Sequence, residues 1–369
     1  TLFYAVLCAM AVWSYLYSAR SVGMFHALPV DRGCLFLTSA LSGLAMMLLP
    51  YVIVGALTVL ICLAFGILPV LAALQVAAGV LGLSIFYFAT ATLCAHLTSH
   101  IFALPVFYFI GHFFAVVLHF LLSNFASSFI FGYVGGSSAP AWVNFLSPTV
   151  FLFDNLSMAY IPPETSEGLG TYALEGMWAV GVYTLIGFAL LGLAYLLYRL
   201  RQSESAGEVV AFAALRPVFR YGVALASALT VGQVLYEILY RIPFQEGAYA
   251  DIIPMGVCMA AAAIVGYYVA SMLLKKSARV FRDWQGPLTT AAIIVGLCCC
   301  VSFDVFGIAA AVPAAGDIDT LHVSCNYSNV GLTLERDDPL LQDALALHRT
   351  VIENESAIRS DGAARGYTY

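Results

Sequence analysis

Charge is what this sequence has least of. Only 10% of its 369 residues are charged, and lysine occurs just twice, at Lys275 and Lys276. With no basic stripe, the chain is not built to hold nucleic acid. Neither lysine follows a glycine-rich loop, so there is no G-x-x-x-x-G-K-[ST] segment to cradle a phosphate, and ATP cannot be used by that route. No H-E-x-x-H helix occurs, and no two carboxylates share an apolar run closely enough to act together. Those absences remove the familiar arrangements of intramembrane proteases. Nine cysteines are present, yet only Cys325 falls in a clearly soluble segment. That is neither a disulfide framework nor metal-ligand spacing. The Cys298 to Cys300 run reads as small apolar packing material. No catalytic residue, metal or cofactor is expected in this chain.

What the sequence has is apolar length. At 62% hydrophobic residues, the chain cannot hide its side chains in a soluble core and is expected in a membrane. A crossing takes roughly 20 apolar residues. About eight runs qualify: Leu2–Tyr17, Leu35–Phe65, Val70–Ala95, Ile101–Leu122, Tyr172–Tyr198, Tyr221–Tyr240, Ile252–Leu274 and Leu288–Ala311. The second is too long for an upright crossing and carries Pro50, a cause of kinks. Gly66 to Pro69 reads as a tight turn. Residues 124–170 are rich in Phe, Trp and Leu but broken by Gly135, Gly136 and several prolines, which predicts short helices dipping into the outer leaflet.

Cations set the orientation. With Ser18 to Phe36 placed inside, ten cations fall in cytoplasmic segments and one, Arg241, in the short outer loops. The remaining four lie in a tail beginning near Val312, which this orientation puts outside the cell. Within the tail, Thr320–Tyr327 alternates like a strand. Asp338-Pro339 reads as a helix start, followed by an apolar stripe through Leu341, Leu345 and Val351. The expected fold is therefore an all-α polytopic membrane protein, a helical bundle with a small α/β extracytoplasmic tail. Thr1 opens directly into an apolar run and Gly366 to Tyr369 resembles the start of a strand, so both ends are expected to continue.

The polar island Ser18 to Phe36 stands out between two apolar runs. It holds Arg20, His26, Asp31 and Arg32, with Val22, Met24, Phe25 and Leu28 as the apolar positions of a short amphipathic helix stopped by Pro29. Such a helix at a membrane surface can meet a soluble partner. Fewer polar residues interrupt the spans. His112 and His119 are seven apart on one face, where hydrogen bonding in a bundle is the plainer reading than a metal or proton site. Gln233 and Glu237 are four apart and suit either a cavity or a helix contact. Asp304 lies inside the expected eighth span, where a buried acid is costly. Glu175 is expected near the outer end of its span. Arg201 and Glu204 read as part of a solvated helical face, and the basic turn after Leu274 as an inside anchor.

Four stretches carry a family likeness. Arg20…Leu28-Pro29-Val30-Asp31-Arg32…Leu35-Phe36 resembles the cytoplasmic coupling segment of ABC-2-type exporter permeases of bacteria. The run from Tyr198-Arg199 through Ser203-Glu204-Ser205-Ala206-Gly207 to Arg216-Pro217-Val218 is similar to the same group, as is Leu274-Lys275-Lys276-Ser277-Ala278-Arg279-Val280-Phe281. The tail around Asp338-Pro339 looks like an outer domain that some of them carry. The resemblance implies a permease core over 1–198, with a coupling helix within 18–34 and re-entrant helices within 124–170. Three further spans fill 199–311, a departure from the usual six-span unit, and the tail occupies 312–369. The family's first span would precede Thr1. The resemblance further implies a cell-membrane exporter without ATPase activity of its own, paired with a second permease and with ATPase subunits that hold ATP and Mg. The contacts to the ATPase would come from Arg20, Val22, Met24, Phe25, His26, Asp31 and Arg32. Translocation-path residues would be Gln233, Glu237, Asp304 and His112. Competing expectations are an ion-coupled secondary transporter, which wants internal repeats and paired intramembrane charges, and a membrane sensor with a ligand-binding tail.

Overall fold

A computed structural model describes residues 1–27, 29–65, 70–130, 133, 139–161, 171–201, 208–242, 251–305, 307, 311–314, 316, 318–325, 330–355 and 357. Leu28, residues 66–69 expected as a turn, the Gly135-Gly136 segment, Glu204 and the last residues, 366–369, lie outside the described residues. Among those described, seven helices are long and apolar enough to cross a bilayer. The chain is a helical, multi-pass membrane protein with few strands. It divides into two compact units.

The first unit comprises 1–119, 138–219 and 272–277. Helix α1 is Leu2–Val12, followed by a tighter turn over Ser14–Tyr17. The expected first span is thus an eleven-residue helix and a turn. Then come α2 (Ala19–His26), α3 (Arg32–Ala64), α4 (Val70–Leu97) and α5 (Ala103–Ser127). The broken region folds as short helices α6 (Ala141–Phe145) and α7 (Pro148–Asn155), then a hairpin of β1 (Ser157–Ile161) and β2 (Thr171–Glu175). Helix α8 is Met177–Leu200. It starts later than the apolar run because Gly176 adopts φ 81°, a left-handed turn where a Cβ would overlap the Asn155 carbonyl. Tyr172 and Glu175 therefore belong to the hairpin.

Helix α4 is the centre of this unit. Most of its apolar length is buried, whereas α3 is almost wholly exposed along its own. It runs against α8 at close range because small residues permit it. A Cβ on Gly187 would stand 2.9 Å from the Phe86 Cα. Around this seam lies an aromatic core of Trp13, Phe86, Phe88, Tyr108 and Tyr183. Pro50 sits inside α3 and has no N–H to offer the Met46 carbonyl one turn back. The Tyr4 hydroxyl of α1 donates to that carbonyl at 3.1 Å. An unpaired carbonyl in hydrocarbon is costly, so the tyrosine offsets what the proline removes.

The second unit comprises 120–137, 220–271 and 278–369. It holds the end of α5 and most of α9 (Leu215–Arg241) and α10 (Ile252–Lys275), with all of α11 (Gln285–Ser302). Glycines again set the spacing. Gly232 of α9 meets the Met259 backbone, and Gly266 of α10 meets Ser227, whose hydroxyl donates to the Ala262 carbonyl at 2.9 Å. Two stretches of α9, Ala228–Gly232 and Glu237–Arg241, are widened into π-helical turns. Helix α11 stops at Ser302 because Asp304 takes φ 44° and Gly307 takes φ 65°. Asp304 therefore lies beyond the helix end and not inside a span. In the tail, β3 (Thr320–Cys325) pairs antiparallel with β4 (Val330–Glu335). The Asp338 carboxylate accepts from the Leu340 N–H at 2.9 Å, at the start of α12 (Leu340–Glu353). That helix buries Leu341 and Leu345 against Ile318.

Candidate coupling surface and polar cavity

Helix α2 is only eight residues long, too short to persist alone in water. Its packing holds it. Val22 is buried at 4% exposure, and the Phe25 ring lies 4.6 Å from that of Tyr15. Met24 faces the other way and is 63% exposed. Arg20, Asp31 and Arg32 are exposed too. His26 is the last residue of the helix. Asp31 caps α3, its carboxylate accepting from the Gly33 N–H at 2.9 Å. Of the apolar residues expected to meet a partner, Met24 looks outward, while Val22 and Phe25 anchor the helix to its own unit.

The anchor continues inward. The Tyr15 and Tyr198 hydroxyls are 3.4 Å apart, joining the turn after α1 to the last turn of α8. Phe36, in the first turns of α3, stacks near Trp13 at 5.3 Å and Tyr198 at 5.7 Å. Arg201 completes the cluster and is 8% exposed, not solvated as its sequence context suggested. Its guanidinium donates to the Ala95 carbonyl at 3.1 Å, the Leu16 carbonyl at 3.1 Å and the Ser99 hydroxyl at 2.8 Å. Ala95 and Leu16 lie in terminal turns whose carbonyls lack helical partners, and a cation suits such ends. Burial pulls the Arg201 guanidinium below its ordinary pKa, while Tyr17, Tyr15 and Tyr198 oppose that pull. Residues 208–211 fasten the same corner: Ser99 N–H donates to the Glu208 carbonyl at 3.1 Å, and the Thr98 hydroxyl to Val209 at 2.7 Å. Glu208 pairs with Arg216. Nothing in the sequence around Arg201 signals this role, because its acceptors come from two distant segments.

The second unit carries an open cleft of about 580 Å³. Gln233 and Glu237 both line it, one turn apart on α9, together with Asn124 and Ser127 of α5. Arg241 joins them and pairs with Glu237 at 2.7 Å. Phe120, Leu229, Ile238 and Met255 form apolar wall. Both widened turns of α9 contribute lining residues, and such turns are frequent at functional sites.

The remaining expected residues lie elsewhere. His112 is fully buried in the first unit, boxed by the rings of Tyr108 at 4.5 Å, Tyr87 at 5.1 Å and Phe86 at 5.7 Å. Neither of its ring nitrogens meets a hydrogen-bond partner among the described residues. His119 is half-buried. No cluster of three or more His, Cys, Asp or Glu that could hold a metal ion occurs among the described residues. Comparison with protein-family models, curated proteins and solved structures finds no match to this chain.

Proposed function

We propose that the chain is the membrane-spanning permease subunit of an ATP-driven exporter in the cell membrane, worked by a separate ATP-binding-cassette ATPase that docks on α2. The carrying observation is the two-faced seating of that helix. Val22 and Phe25 turn inward, while Arg20 and Met24 on the helix, and Arg32 just after it, are exposed to meet a partner. The basic residues flanking the spans support placing this surface in the cytoplasm and the tail outside. The resemblance at Arg20 to Phe36 supports the class of partner and a second permease, identical or related. A push on α2 would pass through Phe25 and Tyr15 to the ends of α1, α3 and α8, whose aromatic contacts move as one body. ATP and Mg belong to the ATPase, and this chain performs no chemistry of its own. Gln233 and Glu237, lining one cavity, are the residues proposed for the path of the cargo.

The test is co-expression with an ATP-binding-cassette ATPase from the same genome, followed by capture of the complex and measurement of ATP hydrolysis. Met24→Asp and Arg20→Glu are expected to abolish capture while leaving the permease folded. Phe25→Asp, by contrast, should destabilise the chain itself, since it places a charge against Tyr15. Full capture by both surface variants would remove α2 as the docking site.

A further inference from the structure

In the second unit a short turn over 278–284 leads into α11. Val280 pins that turn, being buried at 1% exposure, and the Asp283 N–H donates back to the Val280 carbonyl at 3.1 Å. The Phe281 ring lies 4.9 Å from that of Tyr268, yet Phe281 is still 62% exposed, as is Trp284. Arg279 and Arg282 are exposed as well. The turn's one carboxylate, Asp283, lies 3.7 Å from Arg220 of α9, whose guanidinium also donates to the buried Tyr267 hydroxyl at 3.3 Å. Three arginines therefore share this corner with one carboxylate, beside two bared aromatic rings. A tryptophan at the end of a membrane span belongs at the level of the lipid headgroups, where its ring is half apolar and half wet. Arginines at that level meet phosphate, which their planar fork fits with two parallel N–H bonds.

We infer that this turn binds the headgroup of an anionic phospholipid. Arg279 and Arg282 take the phosphodiester, while Trp284 and Phe281 enter the boundary between headgroups and acyl chains. Arg220 answers the Asp283 carboxylate, so the turn's own acid does not cancel its two exposed cations. A zwitterionic lipid carries an ammonium beside its phosphate and gains little from a surplus of positive charge. A lipid whose phosphate has no such neighbour gains the full attraction. A soluble phosphate would meet the same arginines but would leave both exposed rings without a role. The inference needs α10 and α11 to cross a bilayer. It depends neither on the side the turn faces nor on docking of an ATPase, so either proposal can fail without the other.

Fluorescence quenching by brominated lipid tests it, with the full chain in phosphatidylcholine nanodiscs, whose two faces make the result independent of topology. Subtracting the spectrum of Trp284→Phe isolates Trp284 from the other tryptophans. Acyl-brominated phosphatidylglycerol is expected to quench Trp284 with about tenfold higher apparent affinity than equally brominated phosphatidylcholine. Arg279→Gln and Arg282→Gln together should bring that preference close to parity. Quenching by brominated phosphatidylcholine should stay as it was, which shows the turn still seated at the interface. Arg199→Gln, which removes an exposed cation from the first unit, should leave the preference unchanged. Soluble glycerophosphoglycerol, the same headgroup without acyl chains, should not displace the lipid. Equal quenching by the two lipids, or an unchanged preference in the double variant, overturns the proposal. So does an equal loss in Arg199→Gln, which would mean a diffuse field, or displacement by the soluble headgroup, which would mean a site for a free phosphate ester.

Discussion

One hydroxyl decides whether α3 can hold a proline. Tyr4 supplies to the Met46 carbonyl the bond that Pro50 cannot. Tyr4→Phe is therefore expected to lower the unfolding midpoint by about 2–4 °C. In a Pro50→Ala background the helix satisfies its own carbonyl, and the same tyrosine change should have almost no effect. Thermal unfolding followed by alkylation of the buried Cys8 and Cys94 reads both midpoints. Equal losses in the two backgrounds would refute the link. The proline was visible in the sequence, but the tyrosine was not, because Tyr4 lies on another helix, 42 residues from the Met46 carbonyl it serves. Arg201 teaches the same thing. Its charge reads as facing water until two distant carbonyls and a serine are brought to it. Gln233 and Glu237 were easier to read, since four-residue spacing on one helix puts both on one side whatever surrounds them.

Helices were legible as apolar runs, and their ends were not. Composition alone marks α4, α10 and the rest, because a long uncharged run has no other use. The start of α8 and the stop of α11 depend on backbone angles at Gly176 and Asp304, which no hydrophobic count contains. How helices meet is a further matter of shape. Gly187 and Gly192 lie five residues apart on α8 and look alike in sequence, but only the first approaches another backbone. Gly187→Ala is expected to cost about 1–3 kcal/mol by forcing α4 and α8 apart. Gly192→Ala meets open space and should leave stability unchanged or slightly raised. A thermal comparison of the two variants checks this, and equal behaviour would mean that the α4–α8 seam is not tightly packed.

For the molecule as a whole, the distribution of cations argues for one way of lying in the membrane. Cys34 is exposed in the first turn of α3, beside Arg32 on the side proposed as cytoplasmic. In sealed cells a membrane-impermeant maleimide should leave it untouched, and permeabilisation should expose it. Disappearance of the signal in Cys34→Ser identifies the residue. Labelling of Cys34 from outside intact cells would reverse the topology and take the docking proposal with it. Helix α3 also imposes a condition on its surroundings. Its 33 residues make a rod of about 50 Å. Hydrocarbon is ~30 Å deep, and even a 40° lean shortens the rod only to about 38 Å. Among the described residues little of this chain packs along its flank, so wherever that flank meets lipid the bilayer must thicken around it or leave its tip among headgroups. Acyl-chain length is thus a variable that this protein is built to feel.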